Sequence, residues 1–253
     1  MGWAQGRHAL VTGGGSGIGA ATARALAAEG ARVSLIGRRR EPLDAVAAEI
    51  EGRPFAADVT DRAAMEQAFA AARQVNGALD LVILNAGIGD SAPFLRTTRE
   101  AWDRIIATNL TALFDGAQLA LPDLLDGADK RLVIVASVAG LRGAAYAAPY
   151  VASKHGAVGL MRSLAVEYAR TGLTVNAVCP AFVDTPMVDD SAARIARTTG
   201  RSEEEARASL AEMNTNGRLI TAEEVAASIV HLCRPDSGAI NGACLTIDGG
   251  VMA

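Results

Sequence analysis

Short apolar runs rich in β-branched residues alternate along the chain with longer segments of helical periodicity. The apolar runs predict strands at 7–12, 32–36, 53–57, 79–84, 132–136, 173–178 and 243–247. Runs of this kind, without regular polar alternation, are typical of strands covered on both faces of a parallel sheet. The chain is therefore predicted to form one α/β domain over residues 1–253. We expect a doubly wound parallel sheet of about seven strands with helices on both faces.

Helical periodicity predicts helices at 20–29, 41–50, 61–75, 151–168 and 221–233, and a long amphipathic helix that begins at Arg99. Thr221 and Glu224 have the spacing of a capping box at the start of the last helix. The polar segment 188–219 is only moderately periodic. We interpret it as a helical lid over the strand ends, with an ordinary surface excursion as the alternative.

Composition and charge exclude several classes of function. The chain has 253 residues, a net charge of −4 and dispersed basic residues, which argues against nucleic-acid and membrane partners. Cys179, Cys233 and Cys244 are widely spaced with no histidine at ligand spacing, so we expect reduced thiols and no metal site. No apolar run reaches the length of a membrane span. The expected location is the cytoplasm.

A glycine-rich turn joins the first predicted strand to the first predicted helix. Gly13, Gly17 and Gly19 follow the pattern G-x-x-x-G-x-G, and Gly15, Gly17 and Ala20 also satisfy G-x-G-x-x-A. Glycines permit positive φ angles and close approach of the backbone, while a helix N-terminus offers unpaired N–H groups to a pyrophosphate. The turn therefore predicts a dinucleotide site; a tight turn with no ligand is the alternative.

Arginines follow the second predicted strand, where an acidic residue would bind the ribose 2′-hydroxyl of NAD. Arg38 is placed instead for the 2′-phosphate of NADP, with Arg39 as a second contact. This position therefore predicts a preference for NADP(H). The alternative is a solvated start to the next helix.

Polar residues also follow the third and fourth predicted strands. Asp58 is either a helix N-cap or an acceptor for an adenine amino group. Asn85, Ala86 and Gly87 would let a nucleotide approach the backbone, and Asn85 could equally hold neighbouring strand ends together. Asn109 lies inside the long helix, where a buried carboxamide needs partners, so it is a candidate for binding a water molecule.

Ser137 stands where the fifth predicted strand ends, at the edge of an open α/β sheet where ligands bind. Tyr150 and Lys154 are four residues apart in a predicted helix, so their side chains share one face. An ammonium beside a phenol stabilises phenolate and lowers the tyrosine pKa, which suits proton exchange with a substrate oxygen. By itself this spacing is also common on helix surfaces that have no function.

Five features occur in order along the chain: Thr12-Gly-x-x-x-Gly-x-Gly19, Asn85-Ala-Gly87, Asn109, Ser137 and Tyr150-x-x-x-Lys154. Together they resemble the short-chain dehydrogenase/reductase family over essentially the whole chain. Segments 147–156 and 175–186 are most similar to 3-oxoacyl-thioester and polyketide ketoreductases, and the lid segment to 3-hydroxybutyrate dehydrogenases. The resemblance implies a Rossmann-type fold, a nicotinamide cofactor and a homotetramer. It also implies a small ketone or secondary alcohol as substrate, with acyl-CoA and acyl-carrier thioesters among the candidates.

The resemblance further implies residue roles. Tyr150 would be the general acid/base, Ser137 would orient the substrate carbonyl, and Lys154 would lower the tyrosine pKa and bind the nicotinamide ribose. Asn109 would hold a water molecule that links Lys154 to solvent. The implied cofactor-binding residues are Gly13, Gly15, Ser16, Gly17, Ile18, Gly19, Arg38, Arg39, Asp58, Val59, Asn85, Ala86, Gly87, Tyr150, Lys154, Pro180, Val183 and Thr185.

The chain departs from the family pattern at three positions. Leu84 and Ala181 stand where the family usually has Asn and Gly, and Ala181 adds a methyl group near the expected nicotinamide. Ser16 stands where NADP-preferring relatives often have a basic residue. Only Arg38 and its neighbours therefore support binding of the 2′-phosphate.

We predict an NADP(H)-preferring oxidoreductase of a ketone or secondary alcohol, with a 3-oxoacyl thioester as the favoured substrate. An NAD-dependent catabolic dehydrogenase of a secondary alcohol or 3-hydroxy acid is the alternative. A nucleotide-sensing or scaffold protein without turnover is a third hypothesis, against which the intact Ser137, Tyr150 and Lys154 argue. A hydrolase is disfavoured, because Ser153 has no nucleophile-elbow context and no acidic third member is evident.

Overall fold

The computed structural model describes residues 2–253. Its strands are β1 (His8–Thr12), β2 (Arg32–Gly37), β3 (Arg53–Ala56), β4 (Leu81–Leu84), β5 (Arg131–Val135), β6 (Thr174–Pro180) and β7 (Cys244–Ile247). They form one parallel sheet in the order β3-β2-β1-β4-β5-β6-β7. The order reverses between β1 and β4, which is where ligands bind in open α/β sheets. The predicted α/β fold is confirmed.

The α-helices of the described residues are α1 (Gly17–Ala28), α2 (Arg40–Ile50), α3 (Arg62–Asn76), α4 (Arg99–Ile106), α5 (Ala112–Leu124), α6 (Ala148–Glu167), α7 (Pro186–Thr199), α8 (Glu203–Glu212) and α9 (Ala222–Cys233). α1 begins earlier than predicted, so its first turn belongs to the glycine-rich segment. The capping box of α9 is confirmed, because Thr221 and Glu224 each accept a hydrogen bond from the other's backbone N–H. No helix within residues 2–253 is long and apolar enough to cross a membrane.

Helices cover both faces of the sheet because alternate residues of each strand point to opposite sides. In β5, Leu132 and Ile134 pack into the core beneath α3, α5 and α6. Val133 and Val135 pack into the other core, beneath α1, α2 and α9. Every residue of β5 is buried. This two-sided burial explains why the strands are continuous apolar runs in the sequence.

α4 and α5 form one helix that is interrupted by a π turn at Ala107–Thr111. The long helix was predicted, but the π turn was not. A π turn inserts an extra residue into the helical ladder and is frequent at functional sites. Here it contains Asn109, whose side chain is buried.

The predicted lid segment, 188–219, contributes most of α7 and all of α8. The two helices pack against each other around a small core of their own, formed by Val188, Ala192, Ala206 and Leu210. Arg207 on α8 also forms ion pairs with Asp184 and Asp189 near the start of α7. These contacts make the segment a helical hairpin joined to the sheet at its two ends.

A buried polar cluster lies at the amino-terminal edge of the sheet. The ring of His8 is fully buried, with Nδ1 2.8 Å from the Gly77 carbonyl oxygen and Nε2 2.8 Å from Ser34 Oγ. Because a carbonyl only accepts, Nδ1 carries the proton and Nε2 accepts from the Ser34 hydroxyl. Burial lowers the pKa of His8 and outweighs the Gly77 carbonyl, which raises it. The folded protein therefore favours the neutral imidazole.

This pKa shift predicts a pH-dependent stability. Below the unfolded-state pKa of about 6.5, the unfolded chain binds a proton at His8 that the folded chain resists, so the free energy of unfolding falls. Above that pH the stabilisation by neutral His8 is fully present. We expect the midpoint of thermal unfolding to fall between about pH 7 and 5.5, and His8→Gln to flatten this part of the profile. His155→Gln, at an exposed position of α6, is the control. An unchanged slope in His8→Gln would contradict the assignment.

Candidate active site

The glycine-rich turn is built so tightly that side chains are excluded from it. A Cβ atom at Gly19 would lie 2.2 Å from the Gly13 carbonyl oxygen, and one at Gly13 would lie 2.7 Å from Asn85 Nδ2. Gly13 and Gly17 have φ angles of +67° and +52°. The packing therefore requires glycine at Gly13 and Gly19, and the backbone conformation favours it at Gly17.

The start of α1 presents backbone donors beside this turn. Ser16 is the N-cap residue, yet its side chain makes no capping hydrogen bond, and Ile18 is half-buried against the core. A Cβ atom at Gly15 would lie 3.2 Å from Leu43 N, so Gly15 permits close packing against α2. The first N–H groups of an α-helix have no partner within the helix, and they suit an anionic ligand.

Asn85 ties the ends of β1 and β4 together. Its Nδ2 donates to the Thr12 carbonyl oxygen at 2.9 Å, and the backbone N–H groups of Asn85 and Ala86 donate to Thr12 Oγ1 at 3.0 and 3.1 Å. The structure thus places Asn85 in the strand-linking role that was one of its two predicted roles. The same bonds fix the backbone of Ala86 and Gly87 at the switch point.

Asn109 holds the segment that follows Gly87 through two hydrogen bonds to its backbone. Its Oδ1 accepts from Ile88 N and its Nδ2 donates to the Ile88 carbonyl oxygen, both at 2.9 Å. Nδ2 also lies 3.2 Å from Ser153 Oγ, which donates to the Tyr150 carbonyl oxygen at 2.7 Å. Ser153 therefore connects Asn109 to the helical turn that carries the tyrosine. Sequence reasoning considered Ser153 only as a nucleophile and missed this role.

Ser137, Tyr150 and Lys154 come together at the carboxyl end of β5. Ser137 Oγ donates to the Pro180 carbonyl oxygen at 3.3 Å and accepts from Ala139 N at 3.1 Å, and its interaction with Tyr150 acts to lower the pKa of the phenol. Lys154 Nζ donates to the Val135 carbonyl oxygen at 2.9 Å and lies 5.7 Å from the centre of the Tyr150 ring. The three predicted catalytic side chains are therefore neighbours.

The protonation states differ from the prediction for Tyr150. Burial raises the pKa of Tyr150, and the hydrogen bond with Ser137 offsets only part of this rise. Burial also lowers the pKa of Lys154 to about 8. The predicted lowering of the tyrosine pKa by Lys154 is not seen in this structure. The physical reason is that the ammonium donates to the Val135 carbonyl oxygen and lies over the ring, while burial disfavours the phenolate.

Two further glycines shape the space around Lys154. A Cβ atom at Gly140 would lie 2.6 Å from the Lys154 carbonyl oxygen, so glycine lets the Ser137 turn pack directly on α6. A Cβ atom at Gly87 would lie 3.6 Å from Lys154 Nζ and 3.4 Å from Asn109 Oδ1. A methyl group at Gly87 would thus be in van der Waals contact with the ammonium and the carboxamide, so both polar groups lie directly beside Gly87. Sequence reasoning did not identify Gly140.

Arg38 and Asp58 lie together at the ends of β2 and β3. Arg38 Nη1 is 3.9 Å from Asp58 Oδ2, and both side chains are substantially exposed, so this pair holds the guanidinium only weakly. Burial acts to raise the pKa of Asp58, but hydrogen bonds from Thr60 and the charge of Arg38 outweigh it and lower the pKa. Asp58 is not the helix N-cap, which was one predicted role, because Asp61 caps α3.

The remaining two predicted contacts in this region have different surroundings. Arg39 is exposed and is the N-cap residue of α2. Val59 is buried and belongs to the main core, so its backbone alone can face a nucleotide.

The end of β6 supplies the last group of predicted contacts. Pro180 ends the strand, and Ala181 N donates to the Ile247 carbonyl oxygen at 3.1 Å. Thr185 Oγ1 donates to the Val183 carbonyl oxygen at 3.2 Å, and Thr185 lies against Gly17, whose Cβ would be 3.0 Å from Thr185 Cγ2. Segment 180–185 thus runs from Ser137 to the glycine-rich turn and closes the site on this side.

An ion pair joins the α7–α8 hairpin to the segment after Gly87. The Asp90 carboxylate lies 3.2 Å from Arg194 on α7 and 2.7 Å from Arg104 on α4. A Cβ atom at Gly89 would lie 3.5 Å from Met187 Sδ, so the two segments also pack together. Sequence spacing gave no signal for this contact. Within residues 2–253, no three His, Cys, Asp or Glu side chains form a group that could hold a metal ion.

This arrangement can support a specific kind of chemistry. A half-buried phenol, a hydroxyl and an ammonium lie at the same edge of the sheet as the glycine-rich turn and the start of α1, which suits proton transfer to an oxygen near a bound dinucleotide. The geometry contains no activated nucleophile: Ser153 Oγ donates to a backbone carbonyl oxygen, and His155 Nδ1 lies 2.9 Å from the Val151 carbonyl oxygen.

Comparisons with known proteins agree with this geometry. Residues 7–196 match the family model described as short chain dehydrogenase. The chain is 38% identical over 256 residues to the D-beta-hydroxybutyrate dehydrogenase of Cupriavidus necator, covering 98% of each chain. It is 34% identical over 253 residues to the 3-oxoacyl-(acyl-carrier-protein) reductase of Thermotoga maritima, again covering 98% of each. A solved variant of actinorhodin polyketide ketoreductase with NADPH matches with a TM-score of 0.93 and 35% identity, covering 97% of both chains.

The burial of Lys154 predicts that its charged side chain destabilises the folded protein near pH 7. Holding its pKa at about 8 instead of 10.5 corresponds to about 3 kcal/mol of destabilisation near pH 7. Lys154→Met keeps most of the packing and removes the buried charge, so we expect a higher free energy of unfolding at pH 7 by roughly 1–2 kcal/mol after loss of the Val135 hydrogen bond. This difference in the free energy of unfolding between Lys154→Met and the wild type should shrink as pH rises from about 8 to 10.5. In that range the wild-type lysine loses its proton in the folded state but keeps it in the unfolded state.

Lys130→Met is the matched control, because the chain's only other lysine is similarly buried but pairs with Asp80 at 2.7 Å. Its removal leaves a partly buried carboxylate unpaired and should destabilise the protein. Chemical unfolding of both variants at several pH values measures the difference. A destabilised Lys154→Met would show that the ammonium is not strained by burial.

Proposed function

Since this chain belongs to the short-chain dehydrogenase family, we propose that it is an NADPH-preferring reductase whose substrates are 3-oxoacyl thioesters or related ketones. The chain is an oxidoreductase of the ketone and secondary-alcohol class. The observation that carries the proposal is that Ser137, Tyr150 and Lys154 come together at the carboxyl edge of the sheet, the edge that also holds the glycine-rich turn. The direction of reaction, the cofactor preference and the residue roles are the parts that experiments must test.

The residues around the site fit a nicotinamide dinucleotide. Unpaired N–H groups at the start of α1 face the glycine-rich turn, and this is the arrangement that binds a pyrophosphate. At the other end, Lys154 Nζ and Asn109 Oδ1 lie beside Gly87, where polar ribose hydroxyls would find partners. Segment 180–185 lies between the two ends. When bound, the nicotinamide supplies or accepts the hydride.

The chain's own side chains handle the proton and the orientation of the substrate. The raised pKa of Tyr150 keeps its hydroxyl protonated, so it can donate a proton to a carbonyl oxygen that gains charge during reduction. Ser137, whose interaction with Tyr150 acts to lower the pKa of the phenol, would donate to the same oxygen and fix its position. Lys154, whose ammonium does not lower the tyrosine pKa in this structure, would bind the nicotinamide ribose.

A preference for NADP(H) rests on Arg38. Its guanidinium is exposed and has only a distant contact with Asp58, so its donors are available to a 2′-phosphate. Arg40, by contrast, is held by Asp44 at 2.8 Å and is occupied within α2. Arg39 is free to add a second contact through its exposed side chain. One matched structure was solved with NADPH, which supports the same cofactor here.

The names of the relatives favour two substrate classes. The 3-oxoacyl-(acyl-carrier-protein) reductase favours reduction of a thioester-linked ketone, and the D-beta-hydroxybutyrate dehydrogenase favours oxidation of a 3-hydroxy acid. We favour reduction because Arg38 predicts NADPH, the cofactor that cells keep reduced for biosynthesis. An NAD-dependent dehydrogenase of a secondary alcohol remains the second candidate.

We also propose that the chain assembles into a homo-oligomer, with four subunits as the family resemblance implies. Large apolar side chains are exposed on the helices α4, α5 and α6, at Trp102, Phe114 and Val166, and near the C-terminus at Leu245 and Met252. Burying such side chains against a second copy removes apolar surface from water. The cysteines carry free thiols, which agrees with the expected cytoplasmic location.

The proton-donor role predicts the effect of Tyr150→Phe. This change keeps the ring and removes the hydroxyl, so we expect kcat for acetoacetyl-CoA reduction by NADPH to fall by about 10²–10⁴-fold. Binding of NADPH, followed by fluorescence titration, should change little. An active Tyr150→Phe variant would contradict the assignment. NADPH binding by the wild type without turnover of any ketone or alcohol would instead favour the nucleotide-sensing hypothesis.

The cofactor preference predicts the effect of Arg38→Leu. Loss of a charge-assisted contact to the 2′-phosphate should raise KM for NADPH by roughly 10–100-fold and leave KM for NADH nearly unchanged. Arg40→Leu is the control, because Arg40 is engaged by Asp44. Initial rates with both cofactors measure the effect. A wild-type enzyme that prefers NADH would overturn this part of the proposal.

A further inference from the structure

The chain leaves the sheet after β6 through a segment with few backbone partners. Asp184 N donates to the Ile220 carbonyl oxygen at 2.8 Å, and Ile220 N donates to the Phe182 carbonyl oxygen at 3.0 Å. These bonds accompany an isolated bridge between Val183 and Ile220. The segment includes Val183 and Thr185, which the family resemblance implies as contacts of the nicotinamide carboxamide. Its position therefore depends on contacts outside the regular sheet.

The side chain of Asn214 supplies the missing contacts. Asn214 follows α8 and is fully buried. Its Oδ1 accepts from Phe182 N at 3.1 Å, and its Nδ2 donates to the Phe182 carbonyl oxygen at 2.9 Å. The second Nδ2 hydrogen is directed to the Arg218 carbonyl oxygen at 2.7 Å. Both donors and the acceptor of the carboxamide are thus used on backbone groups.

Phe182 is also the residue through which the lid meets the sheet. Its side chain packs against the core of the α7–α8 hairpin, while its backbone pairs with Asn214 and Ile220. Asn214 lies at the end of that hairpin and Phe182 just before its start. One carboxamide therefore closes the base of the lid and fixes the backbone next to Val183.

The same hydrogen-bonding pattern occurs on the opposite side of the site. Asn109 pairs with both backbone groups of Ile88, just as Asn214 pairs with both backbone groups of Phe182. Ile88 follows Gly87, and Phe182 precedes Val183, so each clamped residue adjoins a proposed cofactor contact. A carboxamide is well suited to this task because it offers a donor and an acceptor side by side, as a strand neighbour does.

We propose that Asn214 is a positioning residue for the nicotinamide half of the cofactor site. It acts by holding the backbone of Phe182, and through it Val183 and Thr185, at the end of β6. This inference rests on the proposed cofactor site. Asn214 lies between Met213 and Thr215 in a segment that the sequence marks only as the end of the lid, so its role comes from the contacts alone.

The test uses Asn214→Asp, which keeps the shape of the side chain and removes both donors. At neutral pH a carboxylate oxygen would face the carbonyl oxygens of Phe182 and Arg218, so the segment must shift. We expect the Kd for NADP⁺ to rise by about 10-fold or more at pH 8, measured by isothermal titration calorimetry. The Kd for adenosine 2′,5′-bisphosphate, which lacks the nicotinamide half, should be unchanged.

Protonation supplies an internal rescue. Once protonated, the new carboxyl group of Asn214→Asp regains one donor, so NADP⁺ binding by this variant should recover toward that of the wild type as pH falls from about 8 to 5.5. The groups nearest this carboxyl are backbone carbonyls, and the nearby Arg218 side chain is engaged by Glu224 at 2.6 Å. A purely structural defect would weaken the binding of NADP⁺ and of adenosine 2′,5′-bisphosphate alike.

Asn216→Asp is the matched control. Asn216 is exposed, and its Oδ1 accepts from Arg218 N at 3.4 Å, a role that an aspartate keeps. This variant should bind both ligands as the wild type does. If Asn214→Asp does not fold, Asn214→Ser, which shortens the side chain without adding charge, should show the same selective loss of NADP⁺ binding.

The outcomes separate the inference from the proposed function. Normal NADP⁺ binding by both Asn214 variants would overturn the inference, and so would an equal loss for NADP⁺ and adenosine 2′,5′-bisphosphate. Failure of the wild type to bind NADP⁺ would overturn the proposed cofactor site itself. A selective, pH-rescued loss would support the inference.

Discussion

At the carboxyl edge of the parallel sheet, the backbone groups at the strand ends need hydrogen-bond partners from outside the sheet. Where the strands end, backbone N–H and C=O groups lose their neighbours, and buried groups of this kind must find other partners. Here side chains provide them: Thr12 and Asn85 join β1 to β4, Lys154 bonds to the end of β5, and Ser137 bonds to the end of β6. The residues that complete the backbone hydrogen bonding are thus largely the residues proposed to bind and react.

This double use has an energetic consequence at Lys154. The chain contains two lysines, both buried, but only Lys130 has a carboxylate partner. Lys154 donates its hydrogen bond to the Val135 carbonyl oxygen, and its charge is left without a counterion among the described residues. Burial without a counterion is unfavourable for an ammonium, and a dinucleotide with its hydroxyls and phosphates would relieve it. Burial of the Lys154 charge therefore lowers the stability of the folded protein below the value that the packing of the site would otherwise give.

The sequence allowed the fold to be predicted more completely than the site. Continuous apolar runs and capping signals depend on local rules, and strands, helices and the α9 capping box followed from them. The sequence offered Asp58 as a possible N-cap of α3, and only the geometry shows that the carboxylate that meets Ala64 N belongs to Asp61. The π turn around Asn109 and the direction of the Tyr150 pKa shift depend on burial by distant elements. The contact between Asn214 and Phe182 spans the whole lid, so no local spacing reveals it.

The two halves of the proposed cofactor site are built by different means. The adenosine half relies on glycine backbone, a helix N-terminus and an exposed arginine, so its affinity depends on charge and on the absence of side chains. The nicotinamide half relies on irregular backbone held by Asn109 and Asn214, so its geometry depends on buried carboxamides. Contacts of the first kind set which cofactor binds. Contacts of the second kind would set where its reactive ring lies relative to Tyr150, and Phe182 connects that backbone to the core of the α7–α8 hairpin. Selectivity for the phosphate and alignment of the ring are therefore physically separable in this fold.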